Sequence, residues 1–442
     1  MTSGRTITRD TGLIHYLPVG LATPIFFTMF AGDFWRNLIG WWGFGVLAVL
    51  LLVAAIAAAI AIRPKIAWHR GPKTVALFLL LAIVSLGWSA YPGATALGVV
   101  AQLATTVGAV FAGYCLTETQ LLRCLGVALR AVIGLSLLFE LVVSVFVRHP
   151  ILPLWVDYGG EHVPEPFYWS RGLLFQGGQI QGIVGNNNLL GMCALLAIIV
   201  FGIQLADRTV HRGRGMAWLA AAALTFVLTR SSTVIFATAI VAIALLFALW
   251  ARRVHSLRRA KVYWAGGTVF VVSVVLMWMF WEQLLELLGK SDDLTGRLAI
   301  WESVVGLIAQ APIAGWGWVS YWAPWTEPFK GLAVSGGVTY LQAHNAWLDV
   351  TLQLGLIGLV VFVLLVGSTL WRSWFMAIDV PTAGLQPYRA LAAVDLLPLL
   401  VITALIGQSV AESRILVESG WLLLVTLSIR TKLSPTRREH IE

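Results

Sequence analysis

Long apolar stretches separated by short polar segments recur along the chain, from near residue 14 to residue 430. Nearly every stretch has about 18 residues or more, the length that an α-helix needs to cross roughly 30 Å of hydrocarbon. The stretches lack the strict two-residue alternation of membrane β-barrel strands. The pattern predicts an all-α polytopic membrane protein with about twelve spanning helices, at residues 14–32, 38–62, 74–91, 95–116, 124–147, 187–205, 215–229, 231–250, 262–282, 346–370, 389–409 and 414–430.

Residues 215–250 are the one apolar region that is too long for a single crossing. One helix over these residues would be about 54 Å long, which far exceeds the hydrocarbon thickness. The polar sequence LTRSST lies in the middle of the region. We therefore predict two helices that meet at Arg230.

Composition agrees with this class of protein. Of the 442 residues, 59% are hydrophobic and 12% are charged, and the mean hydropathy is +0.83, values typical of polytopic membrane proteins. The net charge of +9 is explained by basic loops beside anionic lipid, without a nucleic-acid partner. Cys115, Cys124 and Cys193 fall in or beside spans and form neither a disulfide framework nor a metal-binding spacing.

The distribution of Lys and Arg predicts the orientation of the chain. If both termini are cytoplasmic, most basic residues fall in cytoplasmic loops, as the positive-inside rule requires. The first span then acts as a signal anchor, because no cleavable signal pattern precedes it. Basic residues predicted on the outer side are Arg36, Arg148, Arg171, Arg230, Lys290, Arg297, Lys330 and Arg414.

Two long segments stand out among the short connections, and their Pro, Gly and aromatic content favours function over disorder. The predicted division is N-terminal helices at 1–147, an extracytoplasmic loop at 148–186, helices at 187–282, a large extracytoplasmic catalytic loop at 283–345, helices at 346–430 and a cytoplasmic basic tail at 431–442.

The large loop contains a pattern of apolar residues at helical spacing. Leu298, Trp301, Val305 and Ile308 predict an amphipathic helix over 296–310 at the outer membrane surface. An aromatic run follows it, which suits either the lipid headgroup level or a platform for sugar stacking. Its members are Trp316, Trp318, Tyr321, Trp322 and Trp325.

Two arginines on the predicted outer side are candidates for anion binding. Arg230 lies at or just below the surface, where a guanidinium is costly unless it meets water or an anion; snorkelling to the interface is the alternative. Arg297 begins the amphipathic helix, at the end that favours anions, and there it meets either a bound phosphate or carboxylate or the nearby Asp292 or Asp293. Two guanidinium forks suit a diphosphate.

His344 is the candidate for acid–base chemistry. It precedes Asn345, a predicted N-cap of the tenth span, and Asp349 lies in the first turn of that helix. Histidine titrates near neutrality and can accept a proton from an attacking hydroxyl. An interfacial histidine bonded to the preceding loop is the alternative.

Three sequence blocks resemble the O-antigen ligase and polymerase family of bacterial envelope enzymes. They are GRLAIWESVVGLIAQAPIAGWG at 296–317, QAHNAWLDVTLQLGLIGL at 342–359 and the LTRSST turn, with weaker similarity in GIVGNNNLLG and SVAESRIL. The resemblance covers about residues 180–420. Gln353 departs from it, because an acidic residue is common there in the family.

The resemblance implies an inverting glycosyltransferase of cell-surface polysaccharide biosynthesis in the bacterial inner membrane. Such an enzyme moves a glycan from a polyprenyl (undecaprenyl) diphosphate donor to a glycan, lipid or protein acceptor. Arg230 and Arg297 would bind the donor diphosphate, His344 would be the general base, and no metal or other cofactor is expected. Supporting candidates are Asn345, Trp301, Asn188, Arg171 and Glu412.

Two other functions remain open from the sequence. A repeat-unit polymerase of the same family differs from a ligase only in its acceptor. A polytopic transporter is the alternative from another class, but the outer ionisable residues gather in loops and at helix ends, and Arg130 is the basic residue left within a span.

Overall fold

The computed structural model describes residues 11–64, 71–156, 163–280, 291–335, 338–379 and 390–433. Lys290 and the basic tail beyond Leu433 lie outside these residues. Those described form a helical bundle with one very short β-hairpin, which pairs β1 (Val334–Ser335) with β2 (Val338–Thr339). The α-helices are α1 (Thr11–Phe30), α2 (Gly32–Ile62), α3 (Lys73–Val84), α4 (Pro92–Cys115), α5 (Glu118–Val142), α6 (Asn187–Ala206), α7 (Arg212–Thr229), α8 (Ser232–Arg253), α9 (Ala260–Met279), α10 (Ser291–Gln310), α11 (Ala346–Ile378), α12 (Leu397–Ser409) and α13 (Glu418–Leu433).

The predicted all-α architecture is confirmed, and every predicted span overlaps one of these helices. Among the described residues, six helices are long and apolar enough to cross a membrane: Gly32–Ile62, Pro92–Cys115, Glu118–Val147, Asn187–Ala206, Ser232–Arg253 and Ala346–Ile378. Shorter apolar helices occupy Tyr16–Phe30, Lys73–Gly87 and Ala393–Ser409. The total of about twelve crossings stays a prediction.

Two predicted spans are longer than the helices that form. The third span was placed at 74–91, but α3 ends at Val84 and a short 3₁₀ turn continues to Gly87. The eleventh was placed at 389–409, but α12 begins at Leu397 after another 3₁₀ turn. The apolar pattern alone does not mark these ends, because each turn still contains apolar residues, Leu86 in the first and Ala393, Val394 and Leu396 in the second.

The predicted break near Arg230 is confirmed. α7 ends at Thr229, and Arg230 takes the left-handed conformation with φ of 46°. Ser231 caps the next helix, since its hydroxyl accepts from the Val234 N–H at 3.3 Å. The polar turn thus supplies both a helix end and a helix start.

The burial of the candidate spans separates central from peripheral helices. In the apolar window of α6, 72% of residues are buried, against 11% in α2. α6 packs against α5, α7 and α12, while α4 packs against α13 and α11 against α12. α2 therefore lies at the periphery, with its apolar side chains available to lipid.

The segment 291–345 has a hydrophobic core of its own beside the helix bundle. That core contains Tyr91, Ile300, Val304, Val319, Trp322, Ala323, Phe329, Ala333, Ala343 and Leu352. α10 packs on α11 through Ile300 and Val304, whereas Leu298 and Val305 are exposed. The buried face of α10 therefore includes the predicted Trp301 and Ile308, which pack against this core, but not Leu298 and Val305.

Most of the aromatic run belongs to the protein interior. Trp318 and Trp322 are fully buried. Trp325 is 70% exposed and is the member of the run that fits the predicted surface role. Trp318 packs edge-on against Phe78 of α3, with ring centroids 5.3 Å apart. Both predicted roles, a headgroup belt and a sugar platform, are wrong for the two buried tryptophans.

α11 is interrupted at Gly355, which has φ of 65° and ψ of −165°. The backbone of the segment 312–317 fills the gap in the helix. Four hydrogen bonds do this, from Trp316 and Gly317 N–H to the carbonyls of Leu352 and Gln353, and from Leu356 and Ile357 N–H to the carbonyls of Pro312 and Ile313. The break leaves these helical backbone groups paired, as a buried break requires.

Candidate active site

His344 lies immediately before α11, in the left-handed conformation with φ of 50°. Asn345 caps the helix as predicted, because its Oδ1 accepts from the N–H groups of Trp347 and Leu348 at 3.0 and 3.2 Å. The cap and the turn together aim the imidazole away from the helix axis, and its side chain remains 15% exposed.

Glu412 is the partner of His344. It lies on the connection between α12 and α13, and its Oε2 is 3.0 Å from Nδ1 of the imidazole. Asn188 Nδ2 and Arg297 Nη2 reach the other oxygen, Oε1, at 3.1 and 3.2 Å. Gln342 Nε2 donates to Oε2 at 3.3 Å. Four segments far apart in sequence thus meet at one buried carboxylate.

The neighbours of Glu412 keep its carboxyl group ionised. Burial alone would raise the pKa of the Glu412 carboxyl, but His344, Arg297 and Arg414 outweigh burial and lower the pKa to about 2. The carboxylate is therefore ionised at neutral pH. Because it accepts from the ring, it favours the tautomer with hydrogen on Nδ1 and a lone pair on Nε2.

Arg297 reaches the cluster, but not for the reason that the sequence suggested. α10 begins at Ser291, so Arg297 lies in its second turn and the argument from the helix start was wrong. Asp292 and Asp293, the predicted alternative partners, have side chains outside the described part of the structure. The observed ion pair with Glu412 brings Arg297 beside His344.

Arg230 lies next to the cluster in sequence, because the adjacent Ser231 is hydrogen-bonded to Asn188. Ser231 Oγ donates to Asn188 Oδ1 at 2.6 Å, and Asn188 in turn donates to Glu412. The guanidinium of Arg230 is exposed near Gly177 and makes no hydrogen bond or ion pair with the described residues. Its donors are therefore available to a ligand or to water.

The remaining supporting candidates differ in their placement. Trp301 Nε1 donates to the Ala343 carbonyl at 2.8 Å, so α10 holds the residue next to His344. Arg171 pairs with Glu165 at 2.7 Å, and no contact among the described residues joins it to Glu412. The structure therefore brings Trp301 to the site and leaves Arg171 apart.

Two functional neighbours were not proposed as site residues from the sequence. Gln342 lies within the His-Asn block, and Ser413 follows Glu412, so their positions in the motifs were the available signal. Gln353 is a structural residue: its Oε1 accepts from Val319 and Ser320 N–H at 2.8 and 3.0 Å. This geometry explains why an amide can stand where the family commonly has an acid.

A second charged cluster lies next to the first and was also missed. Arg36 donates to Asp33 and to Glu418, each at 2.6 Å, and Arg414 donates to Glu418 and, at 2.8 Å, to the Tyr321 hydroxyl. Arg36, Tyr321 and Glu418 of this cluster also line an apolar cavity of about 240 Å³ that lies among α1, α2, α4 and α13. Trp41, Phe44, Leu51 and Leu422 are among its lining residues.

The described residues contain no group of three or more His, Cys, Asp or Glu side chains placed to hold a metal ion. The predicted absence of a metal stays a prediction. What the observed cluster offers is a buried carboxylate, an oriented imidazole and arginine donors. Such a set can move a proton and bind an anion.

Comparison with known proteins finds two similarities. Residues 215–363 match the O-antigen ligase family model. The chain is also 24% identical over 298 residues to the exopolysaccharide production protein ExoQ of Rhizobium meliloti (strain 1021), covering 64% of this chain and 61% of that protein. The match thus spans less than two thirds of the relative. The residues matched by the family model include Arg230, Arg297 and His344, and over 215–363 the chain is similar to the O-antigen ligase family.

Proposed function

We propose that this protein is an inverting glycosyltransferase that moves a glycan from a polyprenyl (undecaprenyl) diphosphate to an acceptor hydroxyl. The observation that carries the proposal is the 3.0 Å contact between His344 Nδ1 and the Glu412 carboxylate, with Arg297 on the same carboxylate. The match of residues 215–363 to the O-antigen ligase family model supports it.

His344 is the proposed general base. With Nδ1 donating to Glu412, Nε2 is left to accept, and no described residue occupies it. The acceptor oxygen attacks the anomeric carbon from the side opposite the diphosphate, and its proton passes to Nε2. The bond between the anomeric carbon and the phosphate oxygen breaks, and the diphosphate leaves with the electron pair. A single displacement of this kind inverts the anomeric configuration.

Arginine donors would stabilise the leaving diphosphate. Arg230 has no partner among the described residues, and Arg297 uses Nη2 on Glu412, which leaves further N–H donors. Guanidinium groups fit phosphate oxygens in pairs and stabilise charge that develops in a transition state. In this proposal no metal or other cofactor is needed.

The arrangement of the helix ends supports an extracytoplasmic site. The cluster joins the start of α6, the start of α8, α10 and the start of α11, so these ends share one side of the bundle. On the other side Arg252 and Arg259 bond to the end of α11, as expected for cytoplasmic arginines. We propose that the chain crosses the bacterial inner membrane about twelve times and that both termini are cytoplasmic. We also propose that the six segments predicted from the sequence, including the catalytic loop at 283–345, are its functional parts.

The apolar cavity supports a lipid-linked substrate. It lies beside the peripheral helix α2, and its charged end includes Arg36, Tyr321 and Glu418. In this proposal the hydrocarbon chain of the donor lies in the cavity beside α2. The head of a lipid bound there would lie on the side of the bundle that carries His344.

The acceptor separates two versions of the proposal. A ligase would use a lipid or protein hydroxyl, and a polymerase would use the end of a growing repeat-unit chain. The Rhizobium relative is named for exopolysaccharide production, and an exopolysaccharide is a product that the polymerase version of the proposal would make. Transport of a lipid-linked or small substrate is the alternative from another class.

The test is transfer by the purified full-length protein in detergent, with an undecaprenyl-diphosphate glycan as donor and released undecaprenyl diphosphate as readout. Lipid and glycan acceptors are supplied separately. The wild type and His149→Ala, which changes an exposed histidine away from the cluster, should release the lipid, and His344→Ala should not. Release by His344→Ala would overturn its role as base. No release from any protein would favour transport, to be followed by uptake in vesicles.

A further inference from the structure

Asp349 is a buried carboxylate that the proposed reaction does not use. It lies in the first turn of α11 and is 1% exposed. Its Oδ1 accepts from Trp322 Nε1 at 2.8 Å. Its Oδ2 accepts from the Ala343 N–H at 3.0 Å and from the Ser413 hydroxyl. Three donors thus converge on one carboxylate beneath the site.

The donors occupy informative places in the sequence. Ala343 directly precedes His344, and Ser413 directly follows Glu412. A single side chain therefore holds the backbone beside each member of the pair. The contact between His344 and Glu412 joins residues 68 positions apart, and Asp349 bridges the same two segments one layer deeper.

Capping does not account for Asp349. An acidic residue in the first turn of a helix commonly interacts with free backbone N–H groups. Here Asn345 accepts from Trp347 and Leu348, whereas the donors to Asp349 come from outside the helix. Burying a carboxylate is costly unless it is well paired, and this one is paired with the segments that carry the site.

We propose that Asp349 is a positioning residue that fixes His344 against Glu412. This inference rests on the proposed function. His344 has a backbone conformation that residues other than glycine adopt infrequently, and the bond from Ala343 holds the chain at that point. Without it, the imidazole and the carboxylate can separate, and the base loses its orientation while the arginine donors stay in place.

The first variant is Asp349→Asn, which keeps the shape but offers one acceptor oxygen to three donors. We expect kcat for transfer to fall about tenfold to a hundredfold, the loss caused by misplacing a reacting group by about 1 Å. The KM for the lipid donor should change less than threefold. Asp207→Asn is the matched control, since Asp207 accepts from Ala393 and Val394 N–H on the other side of the bundle.

A double-mutant cycle separates positioning from general damage. If Asp349 acts through the pair, then Asp349→Asn should have little further effect on kcat in a Glu412→Gln background. Losses that multiply, or a KM that rises while kcat is kept, would overturn the inference. If Asp349→Asn does not fold, Ser413→Ala removes one of the three donors and should lower kcat several-fold; full kcat in that variant would likewise overturn it.

Hydrogen exchange provides a readout that does not depend on activity. The amide of Ala343 should exchange faster in Asp349→Asn than in the wild type or Asp207→Asn, because it loses its acceptor. If the wild type shows no transfer activity while the Ala343 amide still exchanges faster in Asp349→Asn than in the wild type, that result would reject the transferase proposal but keep the positioning role of Asp349. Unchanged exchange at Ala343 in Asp349→Asn would reject the positioning role itself.

Discussion

Glu412→Gln is the most informative single change at the site. The substitution keeps the size of the side chain and removes its charge. It leaves Arg297 without its acid, and it allows the amide to donate to Nδ1 of His344, which would place the imidazole in the wrong tautomer. In a triad of the same logic, an acid-to-amide change lowers kcat by about 10⁴, so we expect a loss of about two to four orders of magnitude.

The stability effect follows from the pKa of Glu412. Its ordinary value is 4.5 and its value in the folded protein is about 2. A difference of this size corresponds to about 3 kcal/mol of stability. Because the folded pKa is depressed, this stabilisation is present above the unfolded pKa and is lost as pH falls from about 4.5 towards about 2.

The assay compares the thermal unfolding of wild type and Glu412→Gln from neutral pH down to the pKa of about 2 in the folded protein. It also measures the release of undecaprenyl diphosphate at neutral pH. The wild type should be the more stable protein at neutral pH, and the difference should shrink as pH falls. Glu165→Gln is the control, since Glu165 forms an ion pair with Arg171 while its own side chain is 77% exposed. Transfer by Glu412→Gln within threefold of wild type would refute the role in orienting His344, and a pH-independent stability difference would refute the electrostatic account.

Three further predictions concern the donor arginine, the metal and the helix break. Arg297→Lys should lower kcat/KM for the donor about tenfold or more, because an ammonium does not reproduce the guanidinium fork; near-normal transfer would leave Arg297 as a partner of Glu412 alone. Transfer should survive excess chelator, and a loss that Mg²⁺ restores would overturn the metal-free reaction. Gly355→Ala should destabilise the protein by about 2 kcal/mol or more, since the added Cβ would lie 2.2 Å from the Ile313 carbonyl at a φ of 65°. Gly367→Ala in the same helix, where a Cβ meets nothing within 4 Å, should unfold at a temperature no lower than wild type, and equal melting of both variants would refute the argument.

The helices could be predicted because each depends on local composition. A long apolar run has few alternatives to a helix in a membrane, and the turn at Arg230 is marked by adjacent polar residues. The end of α3 and the start of α12 were misplaced because the 3₁₀ turns beside them still contain apolar residues. The start of α10 was predicted at residue 296 and lies at Ser291, because the polar residues of its first turn do not continue the apolar pattern.

The residues of the site could be predicted from the sequence, but the contacts between them could not. His344, Arg297 and Glu412 belong to recognisable motifs, but no pattern shows that one carboxylate joins them. The cluster of Arg36 and Glu418 gave no signal at all, since its partners lie 382 positions apart. Tryptophan composition was also misleading, because an aromatic side chain suits a membrane surface and a protein core equally well.

The break at Gly355 has a consequence for exchanging parts between relatives. Leu352 and Gln353 before the break, and Leu356 and Ile357 after it, are all bonded to the segment 312–317. A chimaera joined at Asn345 would pair a foreign loop with a native helix start and leave those bonds mismatched. The exchange unit therefore ends within the apolar helix, just after Gly355, and a specificity swap should carry 291–357 as one piece.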